Sequence, residues 1–257
     1  MKHFFGIVTN ALLIASACAQ SPAPQTPDTA APATAAPAAT PAPTATPPAT
    51  AKHFSALKYV APKIASTGTR VDGDGGSRGG GVKLPSLYVL APNHTGLTTL
   101  AQPSLFWFQS GPAGTRFELT VVEPKKPKPV LRVGVDKADQ PGIHRLPLSK
   151  YNVTLNPGVL YKWTISLVPD PANRSQDVVA SGTIQRTEPD GGFTTALAGA
   201  EGLDKAALYA SKGFWYDALE VVTNAIDAAP KDKELRRQRA TLLEQAGLKD
   251  AAASERK

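Results

Sequence analysis

One stretch decides the fold class of this chain of 257 residues: Tyr161-Lys162-Trp163-Thr164-Ile165-Ser166-Leu167. Large apolar side chains occupy every second position, and lysine, threonine or serine stands between them. This period of two is typical of a β-strand that buries one face and exposes the other. The turn residues Asn156-Pro157-Gly158 stand just before it. The stretch therefore predicts a half-buried strand that begins after a tight turn.

Six other stretches between residues 83 and 188 are also short and apolar, and turn residues separate them. They are residues 87–91, 105–109, 117–121, 131–135, 142–148 and 177–185. Seven short strands without intervening helical patterns are typical of an antiparallel β-sandwich. The single cysteine excludes a disulfide within the chain, so Trp107 and Trp163 are expected to anchor the core. The sequence predicts a mainly-β domain over residues 83–190, resembling immunoglobulin and fibronectin type III sandwiches.

Helical periodicity replaces the strand pattern from Leu203 onward, within a tail predicted over residues 200–257. Three helices are expected, ending near Gly213, Pro230 and Gly247. The positions that match the later half of a tetratricopeptide repeat are Ala218, Val222, Ala225 and Pro230. The first half of the repeat fails, because Gly202 and Lys205 stand where tryptophan and leucine belong. The pattern predicts a short helical hairpin, similar to a partial repeat, that packs on the β-domain or on a partner.

Residues 1–19 have the pattern of a secretion signal. A short basic start precedes an apolar run over residues 4–17, which is too short to span a bilayer. Cys18 stands where a bacterial lipoprotein is cut and lipidated, whereas Ala17-Cys18-Ala19 is also a site for ordinary signal peptidase. The chain is therefore predicted to be exported, either as a lipoprotein anchored to a membrane through Cys18 or as a periplasmic or secreted protein.

Residues 20–52 are predicted to form a disordered tether. They are almost entirely proline, alanine and threonine, with no aromatic residue. Such a segment buries too little apolar surface to offset chain entropy, and its prolines favour an extended backbone. Residues 53–82 follow as a flexible, glycine-rich lead-in to the β-domain. Asp72 and Asp74 alternate there as in a calcium loop, but no acidic residue closes the site, so a plain loop is predicted.

The candidate binding surfaces are an aromatic run, a loop and one helical tryptophan. The run Phe106-Trp107-Phe108 offers rings that stack on a carbohydrate or a peptide, on whichever strand face is exposed. In the loop from Asp170 to Asp177, Arg174 is expected to bridge the two carboxylates. Such a closed loop at one end of a sandwich is a typical recognition surface. Trp215 in the second predicted helix is the remaining candidate.

Five stretches, taken in chain order, carry a family resemblance. They are residues 103–108, 161–163, 170–177, 182–186 and 207–219. Together they extend from about residue 79 to residue 248 and are similar to a bacterial domain-of-unknown-function family, the one numbered nine-two-eight. The resemblance implies an exported protein with a glycine-rich lead-in, a β-domain and a short helical tail, and it brings no established catalytic residue. A cysteine that often precedes the Asp-Pro pair in the family is replaced here by Val168 and Pro169.

Composition and motifs lead to three functional hypotheses. The net charge of +7 and the pI of about 9.5 are compatible with an anionic partner, but the lysines and arginines are scattered, as on an ordinary solvated surface. No nucleic-acid partner is predicted. No metalloprotease, serine-hydrolase, P-loop or dinucleotide-binding motif occurs, so no catalytic, metal-ligating or cofactor-binding residue is predicted. We expect a non-enzymatic protein-binding or scaffold module at the cell envelope, whose partner is an envelope protein. The alternatives are a module that binds anionic cell-wall polymer or exopolysaccharide, and a hydrolase with a carboxylate pair from Glu118, Glu123, Asp170 and Asp177.

Overall fold

The computed structural model describes residues 56–63, 68–75, 84–135 and 140–257. The predicted secretion signal, Cys18 and the predicted tether lie outside these residues. Within the described ranges, no helix is both long and apolar enough to cross a membrane. The fold is mainly β, with helices on its C-terminal side, and this coarse prediction is confirmed.

Eight β-strands form two sheets in the described part of the chain. They are β1 (Leu87–Val89), β2 (Gly96–Thr98), β3 (Ser104–Gln109), β4 (Arg116–Val122), β5 (Leu131–Val135), β6 (Gly142–Pro147), β7 (Leu160–Val168) and β8 (Val178–Arg186). One sheet has the order β1-β3-β6 and the other has the order β2-β8-β7-β4-β5. All the predicted strands are confirmed, and β2 is an addition. It pairs with β8 in parallel, which corrects the expectation of a purely antiparallel arrangement.

The two sheets share one apolar core. A Cβ atom on Gly182 of β8 would lie 2.8 Å from the Cβ of Ala91, so only glycine admits this close approach between the sheets. Trp163 of β7 is paired with Gly182 and is fully buried. Trp107 of β3 and Phe117 of β4 face each other with ring centroids 6.4 Å apart. Both tryptophans therefore anchor the core as predicted, while the immunoglobulin-like arrangement stays a prediction.

The described part of the glycine-rich lead-in joins the two sheets. Val71 pairs with β8 and Gly73 pairs with β1, each through backbone N–H···O bonds of 2.8 Å. A Cβ atom on Gly73 would lie 2.8 Å from Val178, so this crossing needs glycine. Asp72, considered for a calcium loop, forms an ion pair with Arg70 at 2.9 Å. These residues belong to the folded body, which corrects the predicted flexible loop for this part of the segment.

Five α-helices follow the strands in the described chain. They are α1 (Gly191–Ala198), α2 (Gly202–Ser211), α3 (Trp215–Ala228), α4 (Lys233–Gln245) and α5 (Lys249–Ser254). The three predicted helices are confirmed as α2, α3 and α4, but α1 and α5 extend the predicted hairpin into a larger helical layer. Gly213 and Gly247 have φ angles of 82° and 75°, the left-handed conformation with which glycine ends a helix. Asp232 caps α4 by accepting the backbone N–H of Glu234 at 2.8 Å.

Candidate functional site

The first turn of α3 is inserted into the β body. Trp215 donates its indole N–H to the carbonyl oxygen of Leu90, which follows β1, at 2.8 Å. The neighbouring Tyr216 hydroxyl accepts the indole N–H of Trp163 at 2.9 Å and donates to the carbonyl oxygen of Thr183 at 3.2 Å. Both α3 side chains are fully buried. Their polar atoms therefore connect the helix to both sheets, in a region where an unmade hydrogen bond is costly.

Asp217, the next residue of α3, binds the chain directly after β2. Its carboxylate accepts the backbone N–H of Thr99 at 3.0 and 3.1 Å, and it also accepts the Thr99 hydroxyl. The side chain is buried, and no basic group pairs with it among the described residues. Burial raises the pKa of the Asp217 carboxyl to about 6, although hydrogen bonds from Thr99 and Thr98 act in the opposite direction. Asp217 is therefore a buried acid that anchors the helix.

The remainder of α3 contacts β3 and β6 through polar side chains. Glu220 accepts the backbone N–H of Ser104 at 3.0 Å and its hydroxyl at 2.8 Å. Arg145 of β6 donates to Asn224 at 2.6 Å and pairs with Asp227 at 3.0 Å. Of the two arrangements expected for the helical tail, the structure shows packing on the β-domain. Residues 207–219, which carry part of the family resemblance and belong to α2 and α3, therefore include the contacts that dock the helices on the β-domain.

The aromatic run considered for ligand binding lies in the core. Phe106, Trp107 and Phe108 are 0, 1 and 5% exposed. The ring of Trp107 also stacks on that of His144, with centroids 5.4 Å apart. Trp215 is 0% exposed. Phe106, Trp107 and Trp215 therefore stabilise the body and present no face to a ligand, which corrects the surface role predicted for them. Phe108 also lies in the core, and only its small exposed edge reaches a cavity.

The loop between β7 and β8 is exposed and closed by an ion-pair network. Arg174 pairs with Asp177 at 2.7 Å and with Glu118 of β4 at 3.4 Å. Asp170 accepts the backbone N–H of Ala172 at 2.8 Å. The arginine therefore bridges Asp177 to Glu118, and this corrects the predicted bridge to Asp170. Because Arg174 remains 44% exposed, these pairs contribute little to the stability of the fold.

The carboxylates considered for a hydrolase have structural partners. Glu118 and Asp177 share the arginine of the loop, and Asp170 holds the loop backbone. Glu123 pairs with Lys126 at 2.8 Å at the turn between β4 and β5. Among the described residues, no group of three or more histidine, cysteine, aspartate or glutamate side chains is placed to hold a metal ion.

A cavity of about 550 Å³ lies between the start of α4 and the residues that follow α5. Six of its eight lining residues are cationic, namely Lys231, Lys233, Arg236, Arg237, Arg256 and Lys257. The other two are Pro230 and Glu255. A second cavity of about 450 Å³ shares three lining residues with the first and reaches Phe108 and Ile143, at the adjoining ends of β3 and β6. We call the two together the basic cavity.

The charges around the basic cavity are unevenly paired. Arg239 and Glu255 form a buried ion pair at 2.7 Å in its wall. Arg237 and Arg256 each pair with a glutamate of α4. The lining lysines that have no acidic partner within the described ranges are Lys231, Lys233 and Lys257. An anionic ligand that contacts these lysines therefore breaks no internal ion pair.

Sequence reasoning missed the basic cavity because its cations are far apart along the chain. They fall into two groups, in residues 231–239 and 256–257. The turn at Gly247 folds α5 back along α4, and the Arg239–Glu255 pair shows how near the two groups become. The only sequence signal is a helical hairpin with cations at both of its open ends.

Residues 56–60 lie along the helical layer, and we call them the docked segment. Leu57 is buried in a small apolar cluster of α2 and α3. Its backbone N–H donates to Gln238 Oε1 at 3.0 Å, and its carbonyl oxygen accepts from Gln245 Nε2 at 2.7 Å. The N–H of Tyr59 donates to Gln245 Oε1 at 2.6 Å. Two glutamines of α4 therefore satisfy the backbone of Leu57 and the N–H of Tyr59, and the N–H of Val60 donates to the carbonyl oxygen of Ala210 in α2 at 3.0 Å.

The family suggested by the sequence stretches is identified by comparison with known families. The sequence model of a family described as Domain of Unknown Function (DUF928) matches residues 73–256. The match includes both sheets, all five described helices and the basic cavity apart from Lys257. No curated protein matches the chain. The predicted resemblance is confirmed, and the chain belongs to the DUF928 family.

Proposed function

We propose that this chain is an exported, non-enzymatic module that binds another protein at the cell envelope. The observation that carries the proposal is the basic cavity, a concave site whose lysines lack acidic partners in the described chain. Large concave sites with a few convergent polar groups are the usual location of ligand binding. A cleft lined by one sign of charge also speeds the approach of an oppositely charged partner.

The docking of α3 supports this proposal because it fixes the helices against the β body. The polar contacts of Trp215, Tyr216 and Asp217 hold the helix on both sheets. The basic cavity has walls from α4, α5 and the ends of β3 and β6, so its shape depends on that docking. A preformed site loses less conformational entropy when a partner binds.

The envelope location rests on the predicted secretion signal and tether. Cys18 is the proposed point of lipid attachment, and the tether at residues 20–52 is the proposed spacer. The docked segment supports a tethered arrangement, because it fixes the chain to the helical layer shortly after the tether ends. The immunoglobulin-like or fibronectin-like character of the β-domain belongs to the same proposal, and the antiparallel β4-β7-β8 core supports it.

Mass spectrometry of the mature N-terminus, purified from the native host, tests the location. An acylated Cys18 is the result expected for an anchored lipoprotein, and Cys18→Ser should then move the protein out of the membrane fraction. A free N-terminus at Gln20 would instead indicate a soluble periplasmic or secreted protein. Retention of the whole apolar run in the purified protein would contradict export.

The docked segment leads to a further expectation. Gln245→Ala is expected to speed hydrogen exchange at the Tyr59 amide by about fivefold, because that amide donates to Gln245 and one hydrogen bond contributes roughly 1 kcal/mol. Exchange measured by mass spectrometry on peptides that cover residues 56–60 checks this. Gln102→Ala is the matched control, since its amide contacts only the Thr154 hydroxyl. Unchanged exchange in Gln245→Ala would show that burial of Leu57 and its hydrogen bond to Gln238 hold the segment without Gln245.

Cross-linking in intact cells tests whether the basic cavity meets a protein partner. A photoreactive residue at position 231, at the cavity, is expected to give a product of higher mass. The same residue at position 128, in the exposed connection between β4 and β5, is the control and should give none. Recovery of the monomer alone from position 231, across growth conditions, would contradict the proposed function.

The unpaired lysines of the cavity also favour a second function, the binding of anionic cell-wall polymer or exopolysaccharide. The aromatic stacking part of that hypothesis has no support, because Trp107 and Phe108 are buried. Co-sedimentation with isolated cell wall at low salt tests the remaining, electrostatic part. A protein that stays in the supernatant would remove this second function.

A further inference from the structure

We infer that the basic cavity binds an acidic protein segment that also carries an apolar side chain. This inference rests on the proposed function and names the chemistry of the partner. It follows from the different linings of the two adjoining cavities, one of which is dominated by cations whereas the other reaches apolar side chains of the β body.

The first cavity, of about 550 Å³, is the more cationic of the two. Lys231 and Lys233 are exposed at the start of α4 and lack acidic partners among the residues described. A carboxylate of the ligand can therefore form ion pairs with these lysines without displacing an internal carboxylate. Because single exposed ion pairs are weak, several such contacts have to act together with another source of affinity.

The second cavity, of about 450 Å³, supplies that other source of affinity. Phe108, Pro141 and Ile143 form its wall on the β side, and Arg236 and Arg239 form part of the opposite wall. Each of the two cavities, at about 550 and 450 Å³, falls within the usual range of binding pockets. An apolar side chain that enters the second cavity removes its own surface and the exposed part of that wall from water.

An acidic peptide fits this arrangement better than a phosphate-rich or sugar-acid polymer. Such a polymer satisfies the lysines but has no aliphatic or aromatic side chain to place against Phe108 and Ile143. A peptide with alternating acidic and apolar residues satisfies both parts of the site. The apolar wall therefore decides between two ligands of the same charge.

Fluorescence anisotropy with a labelled peptide of Glu-Glu-Leu repeats tests the inference on the folded protein without its signal. The double variant Lys231→Glu/Lys233→Glu is expected to bind this probe at least about tenfold more weakly. Lys125→Glu/Lys128→Glu is the matched control: it changes net charge equally on the exposed β4–β5 connection and should stay within about twofold of the parent protein. A glutamate at position 233 starts helix α4, where negative charge is favourable, so the first variant is expected to fold.

Two competing probes complete the test, oligoglutamate without leucine and inorganic polyphosphate. Both are expected to bind more weakly than the Glu-Glu-Leu probe by about tenfold. Equal binding of all three probes, or equal losses in the two double variants, would overturn the inference and favour nonspecific attraction to anions. If no probe binds while position 231 cross-links a protein in cells, the inference is wrong and the proposed function stands.

Discussion

Replacement of Trp215 by alanine is expected to lower the free energy of unfolding by about 4 kcal/mol. The side chain is fully buried between the helices and the sheets, and its ring meets that of Tyr59 edge-on with centroids 5.0 Å apart. The substitution leaves a large cavity and removes the indole N–H from the carbonyl oxygen of Leu90. Urea unfolding followed by circular dichroism measures the change. A loss of that size is a large fraction of the stability of an ordinary domain.

A pair of phenylalanine variants separates the hydrogen bond of Trp215 from its ring volume. The indole nitrogen of Trp107 is buried without a hydrogen-bond partner among the described residues, so Trp107→Phe removes no bond. Trp215→Phe removes a similar volume and also leaves the carbonyl oxygen of Leu90 without its donor. We expect Trp215→Phe to cost about 1–3 kcal/mol more than Trp107→Phe. Equal costs, with a loss under about 1 kcal/mol in Trp215→Ala, would show that α3 docks loosely.

The strands were most readily predicted where apolar and polar residues alternate. Along β4 and β7, large apolar residues alternate with polar ones, so the period is visible in the sequence. Strand β2 has only three residues, all buried, and it exists because it pairs with the end of β8. Helix α1 begins with two glycines, which disfavour helices, yet Asp190 caps it and Phe193 stacks on Phe214. Such tertiary contacts override local preference and leave no periodic signal.

The candidate site was less predictable than the strands, for a different physical reason. An aromatic run such as 106–108 has the same sequence whether its strand is covered or exposed, and only the packing of α3 and the second sheet decides. The cations of the basic cavity become neighbours only when α5 folds back on α4. Trp215, Tyr216 and Asp217 belong to the stretch 207–219, which carries the family resemblance. They are successive residues of one helical turn, and each of them contacts a different part of the β body.

Asp217→Asn is expected to change how stability depends on pH. The pKa of the Asp217 carboxyl is about 6 in the folded protein, mainly because of burial, and it lies near 3.8 in an unfolded chain. Because the folded value is the higher one, the neutral carboxyl stabilises the fold at low pH, and this contribution is lost as the pH rises through about 6. About two pKa units correspond to a loss of roughly 3 kcal/mol between pH 4 and pH 7. Asparagine stays neutral at every pH, and its side-chain oxygen can still accept the backbone N–H of Thr99.

Urea unfolding of both proteins from about pH 4 to pH 8 checks this expectation through the difference between them. The two should have similar stability near pH 4, and the asparagine variant should become the more stable one above pH 6. Burial and the charge of Asp217 raise the pKa of Tyr209, so this tyrosine titrates above the pH range used. Glu220→Gln removes one charge from the same helix and controls for net charge. Parallel pH profiles for the parent and Asp217→Asn would mean that the buried carboxyl is stabilised as an anion by Thr98 and Thr99, and that α3 is docked by a charged group at neutral pH.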